Sequence, residues 1–163
     1  MNPLNIIVIE DNMHMSEMIQ DFLHMKFSEA KVHVYNTGEE ALNASSVHPD
    51  LFILDYNLDS HNSKSLNGIQ ILMKIREKSK TPVIFLSSND SANIAINTMK
   101  YGASDYVVKT SQDAFNRLEI AIKNVLHSME MEHDLKKQKK FIALLAVVVI
   151  VLAVGMIWAK MSS

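Results

Sequence analysis

The sequence predicts an α/β fold, a doubly wound five-stranded parallel sheet, followed by one transmembrane helix. Three observations predict it. Five short runs rich in Ile, Val, Leu and Phe are separated by segments whose apolar residues recur at three and four. The runs at 6–9, 51–54 and 83–86 are continuously apolar, as strands covered on both faces are. One stretch of nineteen residues without a charge, FIALLAVVVIVLAVGMIWA, occupies 141–159.

Each element has its own signal. Residues 4–10 form the first buried strand and end in acids. Met15, Met18, Ile19, Phe22 and Leu23 mark a helix behind it, with Asp11 and Asn12 available as caps. Residues 31–35 alternate as a second strand, and Thr37-Gly38-Glu39-Glu40 offers a capping box for a short helix through Leu42. A third strand covers 51–55, and after a polar stretch Ile69, Leu72, Met73 and Ile75 mark the third helix. Pro82 introduces a strand at 83–87, followed by a helix carrying Ile94, Ala95 and Met99. The fifth strand is expected at 104–108. Thr110 and Asp113 open a last helix with Phe115, Leu118, Ile122, Val125 and Met129 on one face.

Composition removes several classes of function. There is no cysteine, so disulfides, thiolate zinc, iron–sulfur clusters and thiol nucleophiles are excluded. The four glycines, Gly38, Gly68, Gly102 and Gly155, are too dispersed for a G-x-G-x-x-G turn or a P-loop. Residues 1–130 carry eleven Lys/Arg against sixteen Asp/Glu, a balance of −5. An acidic body of this kind implies no nucleic-acid partner. Residues 131–163 carry five Lys against two acids, a balance of +3.

The 141–159 run would span ~28 Å as a helix, close to the ~30 Å of bilayer hydrocarbon. Lys140 and Lys160 bound it, and Trp158 sits at an interfacial position. Lys136, Lys137, Lys139 and Lys140 precede it and one lysine follows. The positive-inside rule then places the first 140 residues in the cytoplasm, tail-anchored to the inner membrane as a single-pass protein. The expected division is a domain at 1–128, a basic helical stalk at 129–140, the span at 141–159 and a short tail at 160–163. No DNA-binding or enzymatic output domain is expected within 129–163.

In a parallel doubly wound sheet, sites lie at the carboxyl ends of the strands. Those ends carry Glu10 and Asp11, Asp55, Ser87 and Lys109. Converging carboxylates repel one another unless a cation joins them, and hard oxygen ligands favour Mg²⁺. A hydroxyl and an ammonium beside them suit a phosphoryl group, which makes Asp55 a candidate nucleophile forming an aspartyl phosphate.

The motifs IIVIED at 6–11, PDLFILD at 49–55, TPVIFLSS at 81–88 and YGASDYVVK at 101–109 resemble the receiver domain of bacterial response regulators. The resemblance covers about residues 3–128, and in length it is nearest the stand-alone chemotaxis type. It implies a flavodoxin-like fold with Asp55 as phosphoacceptor. Mg²⁺ would be bound directly by Asp11 and Asp55, by Glu10 through water, and by the backbone carbonyl of Asn57. Ser87 and Lys109 would hold the phosphoryl group, and Tyr106 would turn inward with Ser87 in the active state. The implied donor is a histidine kinase or phosphotransfer protein. The implied output is binding of a membrane-associated partner through the fourth helix, fifth strand and fifth helix.

Three departures from the family pattern stand out. Asp59 replaces a proline, and the stretch 59–67 is longer than usual and expected to be a mobile loop. Ser88 replaces a common alanine. Thr110 replaces a proline, and the Lys109–Thr110 bond is expected trans, because a cis bond before threonine costs ~3 kcal/mol. The function expected is a membrane-tethered, single-domain response regulator, not an enzyme beyond its own Mg²⁺-dependent phosphorylation and dephosphorylation. The alternative is a pseudo-receiver, a membrane scaffold that is never phosphorylated. An aspartyl phosphatase would need D-x-D, and position 57 is Asn. His133-Asp134-Leu135 resembles the phosphorylated box of sensor kinases, but without an ATP-binding domain it is expected to be a solvated histidine.

Overall fold

A computed structural model describes residues 3–44, 47–58 and 66–161; at 148–155, 157 and 159–161 it describes the backbone alone. The elements are β1 (Asn5–Ile9), α1 (Met13–Lys26), β2 (Lys31–Tyr35), α2 (Gly38–Asn43), β3 (Leu51–Asp55), α3 (Gly68–Lys78), β4 (Val83–Ser87), α4 (Ala92–Lys100), β5 (Asp105–Val108) and α5 (Ala114–Met161). The five strands form one parallel sheet in the order β2-β1-β3-β4-β5. β3 and β4 are buried at every residue and β1 at four of five, which explains their unbroken apolar sequences. The edge strands β2 and β5 are mostly half-buried. The expected flavodoxin-like sheet is therefore the observed one.

The chain divides into two compact units, Met1–Lys123 and Asn124–Ser163. In the first, Ile7, Ile9, Leu54, Ile71, Leu72 and Phe85 centre one packed face of the sheet. Helix α5 contributes Leu118, Ala121 and Ile122 to the buried set, Phe115 stacks on Phe22 of α1 at 5.0 Å, and Glu119 pairs with Lys26 at 3.0 Å. In the second unit α5 continues to Met161.

Helix boundaries follow their caps. Asn12, not Asp11, caps α1, its side chain accepting from Met15 N–H at 3.0 Å. The capping box expected at Thr37 forms only in half: Thr37 Oγ1 accepts from Glu40 N–H at 3.3 Å, with no return bond from the Glu40 side chain to Thr37 N–H among the described residues. The neighbouring Glu39 accepts from Leu66 N–H at 2.8 Å. The reciprocal box lies instead at α3, between Asn67 and Gln70. Helix α5 starts at Ala114, because Ser111 and Asp113 first close a turn through the Ser111 carbonyl to Ala114 N–H.

Two expectations about helix faces are corrected. Met18 is 51% exposed on α1, where Ser16 joins Ile19, Phe22 and Leu23 inside. On α4 only Thr98 is buried, its hydroxyl satisfied by the Ala95 carbonyl at 2.8 Å; Ile96 and Met99 are about half exposed. A short, half-buried edge strand offers little surface for an apolar helix face to cover.

Gly68 begins α3 against the end of β3. A Cβ there would lie 2.7 Å from the Asp55 carbonyl oxygen and 3.0 Å from the Phe85 ring, and neither backbone nor buried ring can yield. Gly68→Ala should lower stability by about 1–3 kcal/mol in chemical denaturation. Gly102, at φ 94°, makes the turn into β5, and the Arg76 guanidinium holds its carbonyl at 2.7 Å and that of Thr81 at 2.7 Å.

The expected membrane span finds no support among the described residues: none of their helices is long and apolar enough to cross a membrane. In the 141–159 run the side chains at 148–155, 157 and 159 lie outside what is described. The loop expected to be mobile likewise falls outside them at 59–65.

Candidate functional site

Parallel register carries the strand ends to one edge. Asp55 is level with Leu86, and Ser87 is level with Val108. Backbone bonds extend the alignment past the strands: Glu10 N–H donates to Tyr35 O at 3.1 Å, Tyr56 N–H to Leu86 O at 2.8 Å and Lys109 N–H to Ser87 O at 2.7 Å. As a result Glu10, Asp11 and Asp55 converge, with carboxylate oxygens all within 4.8 Å of one another. Glu10 is 1% exposed and Asp55 5%.

Lys109 enters this cluster from ninety-nine residues beyond Glu10. Its Nζ lies 2.5 Å from Glu10 Oε2 and 2.8 Å from Asp55 Oδ2. The Lys109–Thr110 bond is trans, as expected, since no peptide bond among the described residues is cis. Asp55 Oδ1 accepts from Asn57 N–H at 3.0 Å, and Glu10 Oε1 accepts from Asn12 N–H at 3.4 Å.

Loss of water pushes the Glu10 carboxyl up to about 7; the hydrogen bond from Lys109 opposes this and the Asp55 charge adds to it. One ammonium among three carboxylates leaves negative charge in excess. The donor set is all oxygen, which fits a hard divalent cation such as Mg²⁺. Glu10, Asp11 and Asp55 are the residues that would hold it. Because such a cation competes with the proton on Glu10, apparent Mg²⁺ affinity should weaken as pH falls through about 7, approaching tenfold per pH unit below it. In the metal-free protein the sign is opposite. A raised carboxyl contributes stability below its ordinary 4.5, and that contribution is lost as pH rises through about 7. Mg²⁺ titrations and denaturation curves at several pH values check both.

The remaining expected residues lie around the cluster. The Asn57 side chain donates from Nδ2 to Ser88 Oγ at 2.8 Å. Ser87 is fully buried, and its Oγ accepts from Asn89 N–H at 3.1 Å. Tyr106 touches none of the carboxylates; its hydroxyl donates to the Asn89 carbonyl at 2.6 Å. Sequence reasoning missed Asn89, which joins Ser87 to Tyr106, and the partnership of Ser88 with Asn57. Only their position just past a strand end could have drawn attention to them.

Comparison with known proteins agrees with this geometry. The response regulator receiver domain family matches residues 6–123. Response regulator ArlR of Staphylococcus epidermidis is 31% identical over 106 residues, covering 64% of this chain and 45% of that protein. ArlR of Staphylococcus aureus is 30% identical over 105 residues, with the same two coverages. The chain thus spans less than half the length of these curated relatives. The receiver domain of Francisella response regulator 1452 superposes with a TM-score of 0.61 at 27% identity, covering 77% of this chain and 98% of that one. The BeF3-activated DrrB receiver domain shares the fold, with a TM-score of 0.64 at 24% identity and the same coverages. Strand order, acidic edge and family match together show that the chain belongs to the response regulator receiver domain family, whose members are signalling domains of two-component systems.

Proposed function

We propose that this receiver domain accepts a phosphoryl group on Asp55 and signals by protein–protein interaction, held at the inner face of a membrane by residues 141–159. The observation that carries the first part is the setting of Asp55: a carboxylate at a strand end, paired with Lys109 at 2.8 Å and flanked by Glu10 and Asp11. A carboxylate oxygen of Asp55 attacks phosphorus on a phosphohistidine of a kinase or phosphotransfer protein. The new O–P bond forms as the donor N–P bond breaks, and the imidazole nitrogen keeps the electron pair and takes up a proton. A bound Mg²⁺ would supply charge neutralisation for the incoming phosphoryl oxygens. Asp11, Glu10 and the Asn57 carbonyl would supply the rest of its ligands.

Lys109 is placed to move its ammonium from Asp55 to a phosphoryl oxygen, and Ser87 to donate its hydroxyl proton to another. The shift of Ser87 disturbs Asn89, bonded to Ser87 through its N–H and to Tyr106 through its carbonyl. Tyr106 and the start of α4 thereby sense the phosphoryl group. The exposed Ile96, Met99 and Tyr101 give α4 an apolar surface on which an output partner can bind or be released.

The membrane part rests on the sequence of 141–159 and on the unbroken helix Ala114–Met161 that contains it. Acetyl phosphate with Mg²⁺ tests the phosphorylation. The expected result is one phosphoryl group per chain by intact mass, removed by hydroxylamine. A chain that takes up none is a pseudo-receiver, and the proposal fails.

A further inference from the structure

Between Glu130 and Lys140 most residues of α5 are charged, yet one stripe is uncharged and mostly apolar. Met131, Leu135, Gln138, Ile142 and Leu145 follow one another at four, three, four and three. This is the 3.5-residue repeat of a helix-pairing seam, and it crosses from the lysine-rich segment into the apolar run without a break. All five side chains are exposed: Met131 and Leu135 at 54%, Ile142 at 65% and Leu145 at 48%, with Gln138 likewise open. Among the described residues of Asn124–Ser163, these five side chains remain exposed.

The residues beside the seam are complementary to themselves. With Leu135 and Ile142 at a and Met131, Gln138 and Leu145 at d, Asp134 falls at g and Lys139 at e. In a parallel pair, g of one helix meets e of the next heptad on the other, so Asp134 faces the partner's Lys139, and Lys139 faces the partner's Asp134. An antiparallel pair sets g against g and e against e, so it loses this Asp134–Lys139 pairing. Gln138 at d meets its own copy, and a primary amide both donates and accepts, so two glutamines satisfy each other where a foreign apolar helix would leave the amide unmatched. The opposite face holds His133, Lys136, Lys137 and Lys140, which a pair keeps outward in water. Within the apolar run, packing of helices by a left-handed seam continues the same geometry.

We propose that the α5 extension pairs in parallel with the same segment of a second copy of this chain, through Met131, Leu135, Gln138, Ile142 and Leu145. The occupant is a second copy because the charges and the amide complement their own images. Asp55 plays no part, so failure here leaves the proposed phosphorylation untouched.

The absence of cysteine makes the test direct. Single cysteines are placed at each position from 131 to 145 in the full chain, in detergent micelles, and oxidised with copper phenanthroline. Disulfide-linked dimer should peak at 131, 135, 138, 142 and 145, severalfold above 133, 137, 140 and 144. A flat profile, no dimer, or peaks on another spacing overturns the proposal. In the Leu135→Cys background, Asp134→Lys should lower the dimer severalfold, and adding Lys139→Asp should restore it. Loss without restoration, or no loss, overturns the parallel pairing.

Discussion

Asp55→Asn should abolish incorporation of hydroxylamine-sensitive phosphate from acetyl phosphate, while the domain should remain folded. The loss is complete because the amide cannot form an acyl phosphate and no other carboxylate shares the position. Asp11 is half-exposed and Glu10 is held by Lys109 at 2.5 Å and by Asn12 N–H. The fold survives because Asn preserves the volume and still accepts from Asn57 N–H through its Oδ1. What changes is charge: one of the two carboxylates on Lys109 becomes neutral, which relieves part of the repulsion on Glu10. Asp11→Asn, by contrast, should retain Asp55 chemistry at saturating Mg²⁺ while weakening Mg²⁺ binding. Intact mass after labelling and a Mg²⁺ titration read the two effects. Wild-type labelling of Asp55→Asn would remove that residue from its role.

If residues 141–159 anchor the chain as proposed, deleting them should release the protein from membranes, and the intact chain should resist both high salt and carbonate. Magnitudes decide between the two forces available. Twelve of the nineteen residues are Leu, Ile, Val or Phe, each worth roughly −0.3 to −0.6 kcal/mol at the centre of a span, or about −4 to −7 kcal/mol together. Four lysines near an anionic surface contribute about 1 kcal/mol each, and salt screens that contribution while leaving the apolar one. Release of the full chain by salt alone would show that the lysines, not the run, hold it. Fractionation of the intact and deleted chains under both washes is sufficient.

The fold and much of the site were legible in the amino-acid sequence because burial leaves a period. Continuous apolar runs announce strands covered on both faces, as at β3 and β4. Three of the five strands, β2, β3 and β4, have the bounds their sequence pattern predicts; β1 begins one residue later and ends one earlier, and β5 begins one residue later. Polar residues that end such runs stand at the sheet edge wherever the strands lie in the fold, which is why Glu10, Asp11, Asp55, Ser87 and Lys109 could be singled out. Helix faces were less legible. A methionine or isoleucine at helical spacing reports amphipathicity, but whether it is covered depends on how much strand lies beneath. Ile96 and Met99 lie uncovered over the short edge strand, and Met18 lies off the face that Ser16, Ile19, Phe22 and Leu23 bury.

Only the tertiary structure decided which strand ends meet. The order β2-β1-β3-β4-β5 sets β1 beside β3 and β5 beside β4, so Lys109 and Glu10, ninety-nine residues apart, form an ion pair inside the sheet edge. No local pattern encodes that pairing, because it follows from crossover connections and register and not from periodicity. The rise of the Glu10 carboxyl to about 7 has the same origin, since it needs the burial and the Asp55 charge that convergence creates. The bonds of Asn89 to Ser87 and Tyr106, and of Asn57 to Ser88, are likewise products of the third dimension. Side-chain hydrogen bonds carry no period, so their partners become visible only when the strands that hold them are laid side by side.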